Sequence, residues 1–79
     1  MPTIRRFERY GLKAYMYPDH NPPHAHIIGP NGEVRIRLRD LEPMDRTELR
    51  SAELALARDW IHANIDQLRA EWESLNARD

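Results

Sequence analysis

Apolar and polar residues alternate through the first forty positions and then recur every three or four, so the chain divides into a strand-forming half and a helical half. After Gly11, Leu12, Ala14 and Met16 fall on one side and Lys13, Tyr15 and Tyr17 on the other, the mark of a half-buried strand that Pro18 closes. Glu33 to Arg39 repeats the pattern more sharply, with Val34, Ile36 and Leu38 facing one way and Arg35, Arg37 and Arg39 the other. Between them, His24 to Ile28 runs into Gly29-Pro30-Asn31-Gly32, a strong turn signal, so a hairpin is expected. Residues 3–8 give a weaker strand, with Ile4 and Phe7 as its apolar contacts.

From Asp45 the period changes to that of a helix. Asp45 is a good N-cap with Glu48 three positions on, and Met44 and Leu49 form a hydrophobic staple around it. At 100° per residue, Leu49, Ala52, Leu56, Trp60 and Ala63 make one stripe and Leu54, Ala57 and Ile61 a second beside it. A helix over about 46–62 that is apolar over more than half its circumference needs two neighbours: the sheet, and either the next helix or a second subunit. Asn64, with Gln67 three residues later, predicts a new N-cap and a helix over 65–76 whose apolar face is Ile65, Leu68, Trp72 and Leu75. The expected fold is therefore α+β, a small antiparallel sheet of three to four strands (residues 3–39) with two C-terminal helices packed on one face, in a single domain over 1–79.

The hairpin register decides what the histidines do, because a slip of one residue sends every side chain to the opposite face. A four-residue loop sets Ala25 and Ile27 beside Ile36 and Val34, and His24 and His26 beside Arg37 and Arg35. A three-residue loop with Gly32 in the left-handed bulge position turns both histidines into the apolar face. Turn chemistry favours the second arrangement, but placing two imidazoles among apolar side chains costs more than a less common turn, so the first is expected.

Composition narrows the function classes. Seventy-nine residues are close to the size at which one core is only just sufficient, so association with another chain is an easy source of stability. The absence of cysteine removes disulfides, thiolate zinc sites and cysteine nucleophiles, and fits a reducing cytoplasm. No apolar run is long enough to span a membrane, and Met1-Pro2-Thr3-Ile4-Arg5-Arg6 leads into no signal-peptide segment, so a soluble, unprocessed cytoplasmic protein is expected. The net charge of −1 conceals an asymmetry: residues 1–39 carry seven Lys or Arg and three acids, and residues 40–79 carry five and ten. Such halves suit an anionic partner, self-association, or two merely solvated faces.

The stretch Asp19-His20-Asn21-Pro22-Pro23-His24-Ala25-His26 holds three of the four histidines. Its prolines stiffen a non-helical bend and so aim the imidazoles; on a strand His24 and His26 would share a face about 6.6 Å apart. Three imidazoles, with Asp19 as a fourth ligand or an orienting carboxylate, suit a divalent metal such as zinc, although no cofactor is the default expectation. Without a metal, His20, His24 and His26 supply a general acid and base for cleaving an RNA phosphodiester, with Arg35 and Arg37 on the phosphate and Lys13 and Tyr15 extending an anion-binding face. The plain alternative is a set of turn and strand histidines whose hydrogen bonds shape the bend. Glu53 lies at the margin of the sheet-facing stripe, where its carboxylate either partners a histidine or arginine of the sheet or turns to water. His62 falls on the polar side of its helix and is expected to be exposed, and Trp60 and Trp72 read as core or interface. Ser51 and Ser74 have no histidine in view, and the three glycines make no phosphate-cradling loop.

The opening Met-Pro-Thr-Ile-Arg-Arg-Phe, the strand ending in Met16-Tyr17 and above all the Asp19–His26 stretch resemble the bacterial family known as domain of unknown function 4160, with Trp60, His62 and Trp72 at its helical Trp, His and Trp positions. Ala25 departs from the aromatic residue common in that family. The resemblance implies no established activity. It implies a small partner protein encoded by an adjacent gene, a pairing likened to toxin–antitoxin modules. The expectation is thus an interaction component of a two-protein toxin–antitoxin-like or stress module. A small nuclease and a non-catalytic nucleic-acid-binding domain are the alternatives, and a homodimer is a further candidate assembly. Whether the protein is an enzyme stays open.

Overall fold

The alternating segments form strands and the three-to-four-residue repeats form helices. The computed structural model describes residues 3–6, 11–16, 20 and 22–76. Strands β1 (Thr3–Arg6), β2 (Lys13–Met16), β3 (His24–Gly29) and β4 (Gly32–Arg37) make an antiparallel sheet in the order β1-β2-β3-β4, followed by helices α1 (Ser51–Ala63) and α2 (Ile65–Leu75). This is the expected α+β architecture. Phe7, Tyr17 and Asp19 lie outside the described residues.

The β3–β4 ladder pairs His24 with Arg37, Ala25 with Ile36, His26 with Arg35 and Ile27 with Val34, the register that burial favoured. The pairing continues to Gly29 and Gly32, so the turn itself is the two residues Pro30 and Asn31. Both positions favour glycine, one for its backbone conformation and one for close packing. Gly32 has φ +150°, and a Cβ on Gly29 would fall 2.6 Å from Cδ2 of Leu12 and 3.3 Å from Cδ2 of Leu49. Leu12, Ala14, Met16, Ala25, Ile27, Val34 and Ile36 line the covered face of the sheet, joined in one core by Leu49, Ala57, Ile61, Leu68 and Trp72.

Two helix expectations are corrected. First, α1 begins at Ser51, not at 46, and Arg50 is its N-cap. Residues 42–45 instead run along the outer edge of β4: Arg37 N–H donates to Glu42 O (3.0 Å), Met44 N–H to Arg35 O (2.8 Å), and Pro43 pairs with Ile36. Asp45 is thereby delivered to Arg35 and does not cap a helix. Met44 and Leu49 both precede the first turn, so the staple is lost with the early start. Glu53 performs the reciprocal capping contact, accepting from Arg50 N–H at 2.8 Å. Second, α1 presents the stripe of Glu53, Ala57 and Ile61 to the core, and leaves Leu56 and Trp60 half-exposed and Ala52 and Ala63 exposed.

α2 buries Leu68 and Trp72, with Ile65 and Leu75 half-buried, as the spacing predicts. Asn64 separates the helices, but its amide points backward, Nδ2 donating to Trp60 O at 2.9 Å. Asn76 repeats the arrangement on Trp72 O at 2.9 Å. Each helix therefore ends in an asparagine whose side-chain amide adds a second donor to the carbonyl of a tryptophan one turn earlier, which already accepts the same asparagine's backbone N–H.

Candidate functional site

The register builds one polar sheet face from the residues that alternate with the core. Tyr15, His26 and Arg35 form a row across β2, β3 and β4, with Lys13, Ile28 and Glu33 in the row toward the turn and His24 opposite Arg37 in the row toward the bend. The rings of His24 and His26 lie 4.9 Å apart, so the two imidazoles do share a face. Sequence spacing anticipated this grouping of His24, His26, Arg35, Arg37, Lys13 and Tyr15.

Their surroundings differ from one another. His24 is only 1% exposed. Its Nδ1 lies 2.8 Å from Pro22 O, and since a carbonyl only accepts, Nδ1–H is the donor and the ring closes the proline bend. It also meets the ring of Trp72 on α2, 5.1 Å away. His24 is thus locked between the bend and the helix layer, while His26 is half-exposed and His20 exposed. Among the described residues no three His, Asp or Glu side chains are grouped as metal ligands would be.

Both arginines of the face are held by acids of this chain. Arg35 grips Asp45 through Nε (2.9 Å) and Nη2 (2.7 Å), and its backbone N–H donates to the same carboxylate at 3.2 Å. Arg37 Nε reaches both oxygens of Asp40 at 2.9 and 3.1 Å. The hydrogen bond from Arg35 holds the Asp45 carboxyl below the usual carboxylate range against an opposing effect of partial burial, and Arg37 does the same for Asp40. Local charge is therefore balanced. A pocket of about 380 Å³ opens on this face between His26, Glu33, Val34, Arg35, Asp45 and Arg46. Sequence reasoning missed Asp40, Asp45 and Arg46 as members of the site; the available signal was the run of acids directly after β4, within reach of its arginines.

Because the folded pKa of Asp45 is depressed, its contribution is fully present above the unfolded value of ~3.9 and is lost as pH falls through the folded value. The side chains of Arg35 and Asp45 remain 40% and 35% exposed, so solvent keeps the effect small. An Asp45→Asn variant is expected to lose a little stability at neutral pH and to show a shallower acid limb below about pH 4, measured by urea denaturation across that range. An acid limb identical to wild type would show that the pair does not contribute.

Glu53 is neither a partner of the histidines nor turned to water. It is 3% exposed, and besides capping α1 it accepts from Asn31 Nδ2 at 3.2 and 3.3 Å, tying the helix start to the β3–β4 turn. His62 is exposed on α1, as its helical position predicts.

The fold and this face define a small α+β domain whose polar sheet surface is internally charge-balanced and whose histidine bend is fastened to its second helix. The chain belongs to the family described as domain of unknown function (DUF4160), whose model matches residues 11–73. Comparisons with curated proteins and with solved structures give no significant match. Among the described residues, no helix is long and apolar enough to cross a membrane.

Proposed function

We propose that this domain is an interaction component of a two-protein module of the toxin–antitoxin-like or stress-response kind, acting in the cytoplasm with a small protein encoded by the adjacent gene. The observation that carries this reading is the surface of α1: with Glu53, Ala57 and Ile61 committed to the core, Leu54, Leu56 and Trp60 still stand half-exposed. Large aromatic and aliphatic side chains in that position are the anchors protein interfaces use. Size-exclusion chromatography of the two proteins, alone and mixed, tests it. A mixture that elutes ahead of either component is expected; two unchanged elution positions would remove the proposal.

The pocket beside His26 favours one second reading, a small nuclease or nucleic-acid binder that places phosphate near His26, Arg35 and Arg46. The carboxylates already on Arg35 and Arg37 and the sealed position of His24 argue against it. On the interaction reading, a His24→Ala, His26→Ala variant leaves RNA as intact as wild type does, and induced expression arrests growth in neither. Histidine-dependent RNA cleavage or growth arrest would instead establish the nuclease.

A further inference from the structure

The arginines of the described surface are not equally engaged. Arg35, Arg37 and Arg58 each have an acid of this chain, Asp45, Asp40 and Glu42. Arg39 and Arg69 are exposed, and with the described residues they make no hydrogen bond or ion pair. These two, though 30 positions apart in the sequence, border the same groove of about 270 Å³, whose walls are Pro23, Leu38 and Trp72 and whose remaining rim residue is Glu73.

The groove is constructed by the histidine stretch. Leu38 N–H donates to Pro23 O at 3.0 Å, fixing the proline bend against the end of β4. His24 packs its ring on Trp72 at 5.1 Å, holding α2 beside that bend. Three elements distant in sequence are thus locked around one apolar slot. Its volume is below the ~300–1,000 Å³ usual for a small-molecule site and suits one large side chain of a peptide. The two arginines, against the single Glu73, leave the rim positive.

We propose that this groove receives an acidic segment of a partner protein, one large apolar side chain seated against Pro23, Leu38 and Trp72 while the flanking carboxylates pair with Arg39 and Arg69. The inference rests on the interaction reading and names the partner's chemistry. Arg is the cation suited to this task, because its planar fork takes a carboxylate through two parallel bonds and its stem covers apolar surface. A nucleic acid fits less well: the walls are apolar, and Glu73 repels phosphate.

The test uses the full chain carrying Trp60→Phe, which leaves Trp72 as the only tryptophan. Its fluorescence is followed while the hexapeptides Asp-Glu-Leu-Phe-Glu-Asp, Lys-Arg-Leu-Phe-Arg-Lys and Asp-Glu-Ser-Ser-Glu-Asp are added in turn. A saturable change with the first peptide alone is expected, weakened about tenfold or more by Arg39→Glu with Arg69→Glu, since both rim charges then oppose the ligand. No saturable change, equal binding of either control peptide, an affinity indifferent to the two reversals, or tighter binding of a single-stranded oligonucleotide would overturn the proposal. Titrating the neighbour-encoded protein against chains that keep Trp60, followed by size-exclusion chromatography, separates the groove from the association itself. If it binds wild type and the double-reversed variant equally, the groove is wrong and the interaction reading stands; if it fails to bind wild type, both fall.

Discussion

Trp72→Ala is expected to remove roughly 3–5 kcal/mol of stability, the usual cost of deleting a buried aromatic ring. A domain of 79 residues has in total only about 4–12 kcal/mol, so the loss removes at least about a quarter of the total and shifts the unfolding midpoint strongly. Trp72 is 5% exposed, joins the core shared by the sheet and both helices, and carries the ring contact with His24. Removing it opens a cavity and also uncovers an imidazole whose Nδ1–H is committed to Pro22 O. Urea denaturation followed by far-ultraviolet circular dichroism measures the loss. Trp72→Phe should retain well over half of the stability that Trp72→Ala loses, because a ring still fills the space. A loss under about 1 kcal/mol, within the range of ordinary surface substitutions and small core changes, would mean that α2 is not anchored through this residue.

The second large effect is at Glu53. Its carboxylate is almost wholly buried and serves two elements at once, accepting from the first backbone N–H outside α1 and from the Asn31 amide in the β3–β4 turn. Glu53→Ala is expected to cost roughly 2–3 kcal/mol, the range for losing hydrogen bonds to a charged acceptor and leaving their donors without it. Asn31→Ala should cost less, since Asn31 is exposed and water replaces its contacts. Glu53→Gln, which keeps the shape and one acceptor oxygen, should fall between wild type and Glu53→Ala. The three midpoints in urea check this order; equal stability of Glu53→Ala and wild type would exclude Glu53 as the tie between helix and turn.

Both residues show where local pattern stops being sufficient. The helical wheel placed Glu53 near the sheet-facing stripe, but its partner is Asn31 in a turn 22 positions earlier. Nothing in the spacing encodes that distance. The early helix start fails for a related reason: Asp45 has all the local signs of an N-cap, and a bidentate arginine ten residues upstream is a stronger claim on its carboxylate than an unpaired helix N–H. Once Arg35 holds Asp45, the chain follows the edge of β4 and the helix begins five residues late.

The sequence by itself determined the strands and the two helices, and it favoured the hairpin register that the structure adopts. These follow from side-chain periodicity and from the cost of burying imidazoles, which are properties of neighbouring residues. In that register His24 and His26 share a face with Arg35 and Arg37, which the ladder bears out. Only the tertiary structure decided what that face is. Asp40 and Asp45 balance its arginines, and Trp72, contributed by the last helix, turns His24 from an open-face residue into a buried brace. The groove bordered by Arg39 and Arg69 arose in the same way, from packing between the proline bend, the end of β4 and α2. Burial of His24 and the groove depend on which distant elements meet, and the ion pairs on how the chain turns after β4; one strand's alternation carries no information about either.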